Sequence, residues 1–210
     1  MRQPPVIATA LATLALAVLA APLAAQANAD APSGEAPLEV TVTGDSAPDW
    51  VPSEALVGQA VTVVESYLKA LQDGEYPRAY AMITADNQKD TSEARFREEG
   101  RKFNQLAGKL VRRRMIDSTW SKNPRGAPKP GVYAAFDLAA QFTNVDRQCG
   151  SLVLYQPAAG GPFEVLRSEN YYLDNRTAQQ IELSQSHQAL LDEWTRISAS
   201  CAPFTWDAKP

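Results

Sequence analysis

Residues that hold metals and redox cofactors are scarce in this sequence. Among its 210 residues there are one histidine and two cysteines, whereas zinc, haem and iron–sulfur sites need clusters of such ligands at characteristic spacings. The sequence also lacks a glycine-rich phosphate loop, a nucleophile-elbow motif and an internal repeat. We therefore expect no metal, no cofactor and no catalytic residue of a conventional enzyme.

The overall composition is that of an ordinary globular domain. Hydrophobic residues make up 45% of the chain, charged residues 21%, and the net charge is −4. These values argue against the disordered, collagen-like, coiled-coil and multi-span membrane classes. A chain of this length is expected to form one domain.

The N-terminus has the pattern of a secretory signal peptide. Arg2 precedes an uncharged apolar run over residues 6–21, which is followed by Pro22 and by small residues ending at Ala29. A proline and an Ala-x-Ala site favour cleavage over retention as a membrane anchor, so we predict that residues 1–29 are removed after Ala29. The expected protein is periplasmic or secreted, with no membrane span after cleavage and no nucleic acid among its partners.

The predicted export bears on the oxidation state of the two cysteines. Outside the cytosol, two unclustered thiols more often form a disulfide than a ligand pair or a redox couple. We predict a structural bond between Cys149 and Cys201, with two unrelated free thiols as the alternative.

An acidic segment rich in proline and alanine follows the predicted signal peptide. Residues 30–60 contain six acidic residues and no basic one. Because residues 30–52 hold too little apolar material to pack, we predict an extended linker there. Alternating Val and Thr between Glu39 and Thr43 leave an edge strand as the alternative.

Hydrophobic periodicity predicts three helices, then a sheet, then a last helix. The predicted helices occupy residues 53–73, 76–83, 91–107 and 177–198, and the predicted strands residues 110–120, 132–143, 151–156 and 163–173. Sequential strands joined by short turns imply an antiparallel meander. We therefore predict an α+β domain over residues 53–173, with helices on one face of a sheet of about four strands, and a C-terminal helical extension over 174–210.

Several short motifs match a known group in order and spacing. They are LQDGEY at 71–76, GAPKPGVY at 126–133, FTN at 142–144 and a closing strand segment at 164–172. Through them the chain resembles the domain of unknown function 4019 (DUF4019) family, within the nuclear-transport-factor-2-like (cystatin-like) superfamily. The family has no assigned activity. The superfamily resemblance implies a cone-like curved sheet with a hydrophobic cavity under the helices, used by some members as a small-molecule pocket and by others as a plain core.

The clearest alternating strand supplies candidate residues for such a pocket. Its inward-facing set is Ala134, Phe136, Leu138, Ala140 and Phe142. Small residues between large ones leave room for an apolar small molecule, although alanine opposite a bulky helix residue is also an ordinary packing solution.

Enzyme chemistry finds little support in the residues. His187 lies on the predicted last helix among polar neighbours that are close by helix geometry alone, whereas a catalytic triad draws on separate elements. Acid–base chemistry of the ketosteroid-isomerase kind, known in the superfamily, needs a carboxylate and tyrosines in the cavity. Asp137 and Tyr133 share a strand face, but this face is opposite the apolar set.

A group of basic residues between positions 95 and 114 is a second candidate surface. An anionic envelope component, such as lipid phosphates, is the functional interpretation, and a solvated helix face is the alternative. The candidate anion-binding residues are Arg95, Arg97, Arg101, Lys102, Arg112, Arg113 and Arg114.

These features predict an exported, disulfide-stabilised α+β domain that acts as a non-catalytic binding or interaction module. The alternatives are a small-molecule enzyme that uses a cavity carboxylate and tyrosines, and a protein that binds an anionic envelope component through the basic group.

Overall fold

The structure, a computed structural model, describes residues 38–206. The predicted signal peptide, its cleavage site after Ala29 and the first part of the predicted linker lie outside these residues. The strands are β1 Glu39–Val42, β2 Leu110–Lys122, β3 Gly131–Phe142, β4 Val145–Pro157 and β5 Glu164–Asp174. The helices are α1 Glu54–Gln72, α2 Tyr76–Tyr80, α3 Ala85–Asp90, α4 Glu93–Ala107, α5 Asn175–Ser184 and α6 His187–Ile197. The α+β prediction is thus confirmed.

The strands form one open sheet in the order β1-β2-β3-β4-β5. Strands β2 to β5 make the predicted antiparallel meander, and β1 adds to it in parallel beside β2. The described sheet therefore has five strands, one more than the sequence predicts. Strand β1 falls within the predicted linker, where the edge-strand alternative describes residues 39–42. It is held by long-range hydrogen bonds, such as that from Ser118 Oγ to the Glu39 carbonyl oxygen at 3.1 Å, which local composition does not reveal.

Local signals place the first helices close to their predicted positions. The Ser53 hydroxyl accepts a hydrogen bond from the Leu56 amide at 3.2 Å and caps α1. Just beyond α1, Gly74 adopts a positive φ of 75°, a conformation that glycine tolerates better than other residues. Helix α4 begins after Ser92, whose hydroxyl accepts from the Arg95 amide.

Three boundaries differ from the prediction. Helix α3 follows the capping residue Thr84 and was not predicted; it buries no residue, so it lacks an apolar period. The predicted last helix is two helices, because the backbone leaves the helical region at Gln185 and Ser186 caps a new start. Strand β4 begins at Val145 rather than at 151, with its polar first half paired to both neighbouring strands.

The main core lies between α1 and one face of the sheet, called here the inner face. Helix α1 buries residues at helical spacing, among them Val64 and Tyr67, against Trp120 and Phe136 of the sheet. The Trp120 ring meets the Phe136 ring edge-on at 6.0 Å, and its indole nitrogen donates to Ser118 Oγ at 2.9 Å. This packing satisfies the polar atom of the largest core side chain.

The C-terminal residues pack on the opposite, outer face. Leu173, Ala178 and Leu190 form a second small core there. The predicted disulfide joins Cys149 of β4 to Cys201 beyond α6, with the Cα atoms 6.1 Å apart. Within residues 38–206 no helix is both long enough and apolar enough to cross a membrane.

Candidate functional site

A cavity of about 470 Å³ lies between the inner face of the sheet and helices α1, α3 and α4. Its apolar wall comes from both layers. Apolar lining residues are Leu68, Leu71, Phe96, Phe103, Leu138 and Ala140. The cavity meets solvent on the β5 side, where the lining residues Ser168 and Asn170 are exposed.

The strand register sets the polar part of the cavity. Arg113 of β2 pairs with Ala140 of β3, Ala140 pairs with Gln148 of β4, and Gln148 pairs with Tyr172 of β5. Directly paired residues project from the same face of a sheet. These four residues therefore form one row across the inner face, called here the polar row, in which the small Ala140 separates Arg113 from Gln148.

Arg113 is a half-buried cation in the cavity wall. Burial lowers the pKa of its guanidinium, and the nearby Glu65 carboxylate raises it by a smaller amount. Among residues 38–206, the Arg113 side chain makes no hydrogen bond and no ion pair within 4.0 Å, so its charge is only weakly compensated by protein groups. A partly desolvated cation in this setting favours a nearby anion.

Gln148 presents a polar atom without a partner. Its Nε2 donates to Asn170 Oδ1 at 2.6 Å. Its Oε1 is buried and accepts no hydrogen bond within the part of the chain that the structure describes. Leaving a buried acceptor unpaired costs about 1–3 kcal/mol, so this oxygen favours an external donor.

The other polar groups of the cavity are compensated or exposed. Burial raises the pKa of Tyr67 to about 12, against a smaller opposing effect of the Ser168 hydroxyl, so the phenol stays protonated at neutral pH. Glu99 accepts a hydrogen bond from Arg95 Nε at 2.8 Å. Arg167 lies 3.5 Å from Glu169, and Asp90 is exposed.

The predicted pocket residues divide into two groups. Leu138, Ala140 and Phe142 line the cavity. Ala134 and Phe136 lie deeper on the same strand face, fully buried in the core and away from the cavity. Alternation along β3 predicts their shared face, but the depth of each residue depends on the helix above it.

The carboxylate and tyrosine considered for catalysis lie on the outer face, away from the cavity. Asp137 is paired with Asp117, and the Tyr133 hydroxyl donates to the Lys129 carbonyl oxygen at 2.7 Å. His187 Nδ1 lies 2.7 Å from Glu182 Oε1 on the exposed surface of the C-terminal helices. In residues 38–206, no cluster of three or more histidine, cysteine or acidic side chains is arranged to hold a metal ion.

The basic residues do not form one surface. On exposed α4, Arg95 pairs with Glu99, and Glu98 pairs with both Arg101 and Lys102. Arg97 is also exposed on this helix.

On β2 the arginines alternate between the faces of the sheet. Arg112 lies 4.2 Å from the centre of the Trp206 ring, and Arg114 lies 5.4 Å from that of Phe204. Arg113 lines the cavity on the inner face. The predicted anion-binding set is thus divided among a helix surface, the outer face and the cavity.

One comparison with known proteins gives a match. Residues 63–165 match the model of a family described as protein of unknown function (DUF4019). This segment, just under half of the chain, is similar to that family. No curated protein and no solved structure matches the chain.

The DUF4019 segment holds three members of the polar row, namely Arg113, Ala140 and Gln148. It ends before most of β5, so Tyr172 lies beyond it, as does Cys201. The family description assigns no role to any of these residues.

Proposed function

We propose that the chain is an exported, non-catalytic binding module whose inner cavity holds a small molecule with an apolar body. The observation that carries this proposal is the cavity of about 470 Å³ with walls rich in leucine and phenylalanine. Small-molecule sites typically have volumes of roughly 300–1,000 Å³ and mostly apolar walls with a few polar groups. Both properties apply here.

The way this domain is packed supports an occupant. Protein interiors are close-packed, and unfilled space forfeits dispersion contacts. On the sheet side, the small Ala140 of β3 lines the cavity, while Phe96 and Phe103 border it from α4. A small apolar molecule would restore the missing contacts and stabilise the fold.

We also propose that the fold is of the nuclear-transport-factor-2-like (cystatin-like) kind. Helices α1, α3 and α4 on the inner face of an antiparallel meander, with a cavity between the layers, support this assignment.

The binding role is favoured over catalysis by the position of the titratable groups. Asp137 and Tyr133 lie on the face away from the cavity. Tyr67, with its pKa raised to about 12, is not a base at neutral pH. The cavity carboxylates Glu99 and Glu169 are each engaged by an arginine, at 2.8 Å from Arg95 and 3.5 Å from Arg167.

A thermal-shift series with a cavity-filling variant tests the binding role. Decanol should raise the Tm of the wild type but not that of Ala140→Phe, which places a ring in the cavity. Ala135→Phe is the matched control, because it places the same ring on the outer face of the same strand. Ala140→Val offers a smaller step should the phenylalanine variant fail to fold. An equal shift in the wild type and the Ala140 variants, or no shift from any apolar probe, would overturn the proposal.

The export part of the proposal is supported by the N-terminal sequence pattern. Intact mass measurement of the protein recovered from its own host tests it. We expect the mass of residues 30–210, and the mass of the full chain would contradict export with cleavage.

A further inference from the structure

The polar row places the weakly compensated Arg113 and the unpaired Gln148 Oε1 on one part of the cavity wall. Neighbouring strands lie about 4.8 Å apart, so the Arg113 and Gln148 backbones are separated by two such spacings with Ala140 between them. The alanine methyl group is too short to fill the space between the two longer side chains. A small polar group of a ligand would lie above Ala140, between two side chains that both line the cavity.

Aromatic side chains lie beside the polar row. The Phe103 ring of α4 meets the Phe142 ring at 5.5 Å and the Tyr172 ring at 5.4 Å. Leu138 and Leu68 extend the apolar lining further along the cavity. A molecule with one polar end and one apolar chain therefore matches this distribution.

Arg113 and Gln148 favour different functional groups on a ligand. Arg113 presents only donors and a positive charge, so it selects an anionic acceptor such as a carboxylate. Gln148 Oε1 is an acceptor without a described partner, so it selects a hydroxyl or amide donor. A carboxylate alone would satisfy the arginine and leave the glutamine oxygen unpaired.

We propose that the cavity binds a hydroxycarboxylic acid with an apolar chain, its carboxylate on Arg113 and its hydroxyl donating to Gln148 Oε1. This inference rests on the proposed function, because it requires the cavity to be a ligand site. A single carboxylate also matches the single cation of the polar row, whereas a doubly charged phosphate would leave one negative charge uncompensated beside Glu65.

Isothermal titration of the purified mature chain with three ten-carbon probes tests the inference. The probes are β-hydroxydecanoate, decanoate and decanol. The wild type should bind β-hydroxydecanoate about 5-fold more tightly than decanoate, as expected for one added hydrogen bond. It should bind β-hydroxydecanoate about 10- to 100-fold more tightly than decanol, as expected for a charge-assisted contact.

Two variants separate the contributions of the polar groups. Arg113→Gln should remove the preference for carboxylates over decanol. Gln148→Leu should remove the preference for β-hydroxydecanoate over decanoate. Arg112→Gln is the matched control, since it removes a positive charge from the neighbouring residue on the outer face and should preserve the order of the three probes.

The outcomes distinguish this inference from the proposed function. Equal affinity of the wild type for all three probes would overturn the inference and leave the apolar binding site intact. Unchanged carboxylate preference in Arg113→Gln would overturn it as well. Failure of all three probes to bind would overturn both proposals.

Discussion

Asp137 lies directly opposite Asp117 across the β2–β3 ladder on the outer face of the sheet. Burial raises the pKa of Asp137 to about 6, and the charge of Asp117 adds to the effect. In the same row, Glu39 of β1 pairs with Asp117, and Ser151 of β4 pairs with Asp137. The sheet thus carries a repulsive carboxylate pair whose protonation is linked to folding.

This pair predicts a stability gain at mildly acidic pH. The folded state holds a proton on Asp137 up to about pH 6, whereas an unfolded aspartate loses it near its ordinary pKa of about 4. Between these values the folded state binds more protons, so the pair's contribution to stability is present at low pH and is lost as pH rises through about 6. Asp137→Asn should therefore raise the free energy of unfolding by roughly 1 kcal/mol at pH 7.5 and change it little at pH 4.

Urea unfolding at the two pH values provides the measurement for the carboxylate pair. Asp45→Asn, in the exposed loop after β1, serves as the control for removal of one negative charge. If Asp137→Asn and Asp45→Asn have the same effect at pH 7.5, the account of a repulsive pair is wrong.

The bond between Cys149 and Cys201 predicts a large contribution to stability. The cysteines are 52 residues apart, and closing a loop of this length in the unfolded chain is worth about 4 kcal/mol by the chain-entropy model. Urea unfolding of the oxidised wild type and of the Cys149→Ser/Cys201→Ser double variant should differ by an amount approaching this value. Under reducing conditions the difference should largely vanish, whereas equal stability under oxidising conditions would show that the bond is dispensable.

Two helical glycines predict opposite effects of the same substitution. A Cβ atom at Gly100 of α4 would lie 2.6 Å from the ring of Tyr76, whose hydroxyl accepts a hydrogen bond from Asn104. At Gly58 of α1 it would meet nothing within 4 Å. Gly58→Ala should stabilise the chain by about 0.5–1 kcal/mol through helix propensity, and Gly100→Ala should destabilise it by about 1–2 kcal/mol through overpacking.

Thermal unfolding of the two glycine variants gives the comparison directly. Because both glycines lie inside helices, the gain in helix propensity from alanine is common to the two variants. The difference between their Tm values therefore reports the contact with Tyr76 of the methyl group that Gly100→Ala adds. A stabilising Gly100→Ala substitution would mean that the ring moves aside at little cost.

The C-terminal aromatics predict a measurable coupling to β2. Trp206 stacks on Arg112 at 4.2 Å, in a range where cation–π contacts contribute about 0.5–1 kcal/mol at exposed sites. A double-mutant cycle with Arg112→Gln and Trp206→Leu, measured by urea unfolding, should return a coupling of this size. Strictly additive effects would indicate that the contact contributes nothing.

Much of the fold is predictable from the sequence because its signals are local. The apolar period of residues 56–71, the capping residue Ser53 and the alternation in β3 each act over a few residues, and each matches the structure. Strand β1 is different, because its partner Ser118 is 79 residues away in the chain. A pattern of four residues does not show which edge is open to receive it.

The position of Arg113 shows why the polar row of the cavity is not predictable from the sequence. Trp120 and Ser118 face inward. Because every second residue of a regular strand lies on the same face, this would place Arg114, not Arg113, in the cavity. The register shift between Met115 and Asp117 reverses the alternation and turns Arg113 inward. Such a bulge leaves no distinct sequence signal here, so the sequence alone predicts one surface for the arginine run.

The inward position of Gln148 is not predictable for a related reason. Gln148 lies before residue 151, where the predicted strand begins, in a polar stretch that lacks the apolar alternation of the second half of β4. Its inward position follows from pairing with Ala140 and Tyr172, which only the assembled sheet defines.

Native mass spectrometry of the protein purified from its own host, before and after denaturation, tests the central claim most directly. The account predicts that the wild type carries a small molecule that is released on denaturation, whereas Ala140→Phe, with its cavity filled, does not. The mass of the released molecule would identify its class. A bare wild-type mass, or the same adduct on both proteins, would contradict the assignment of the cavity as a binding site.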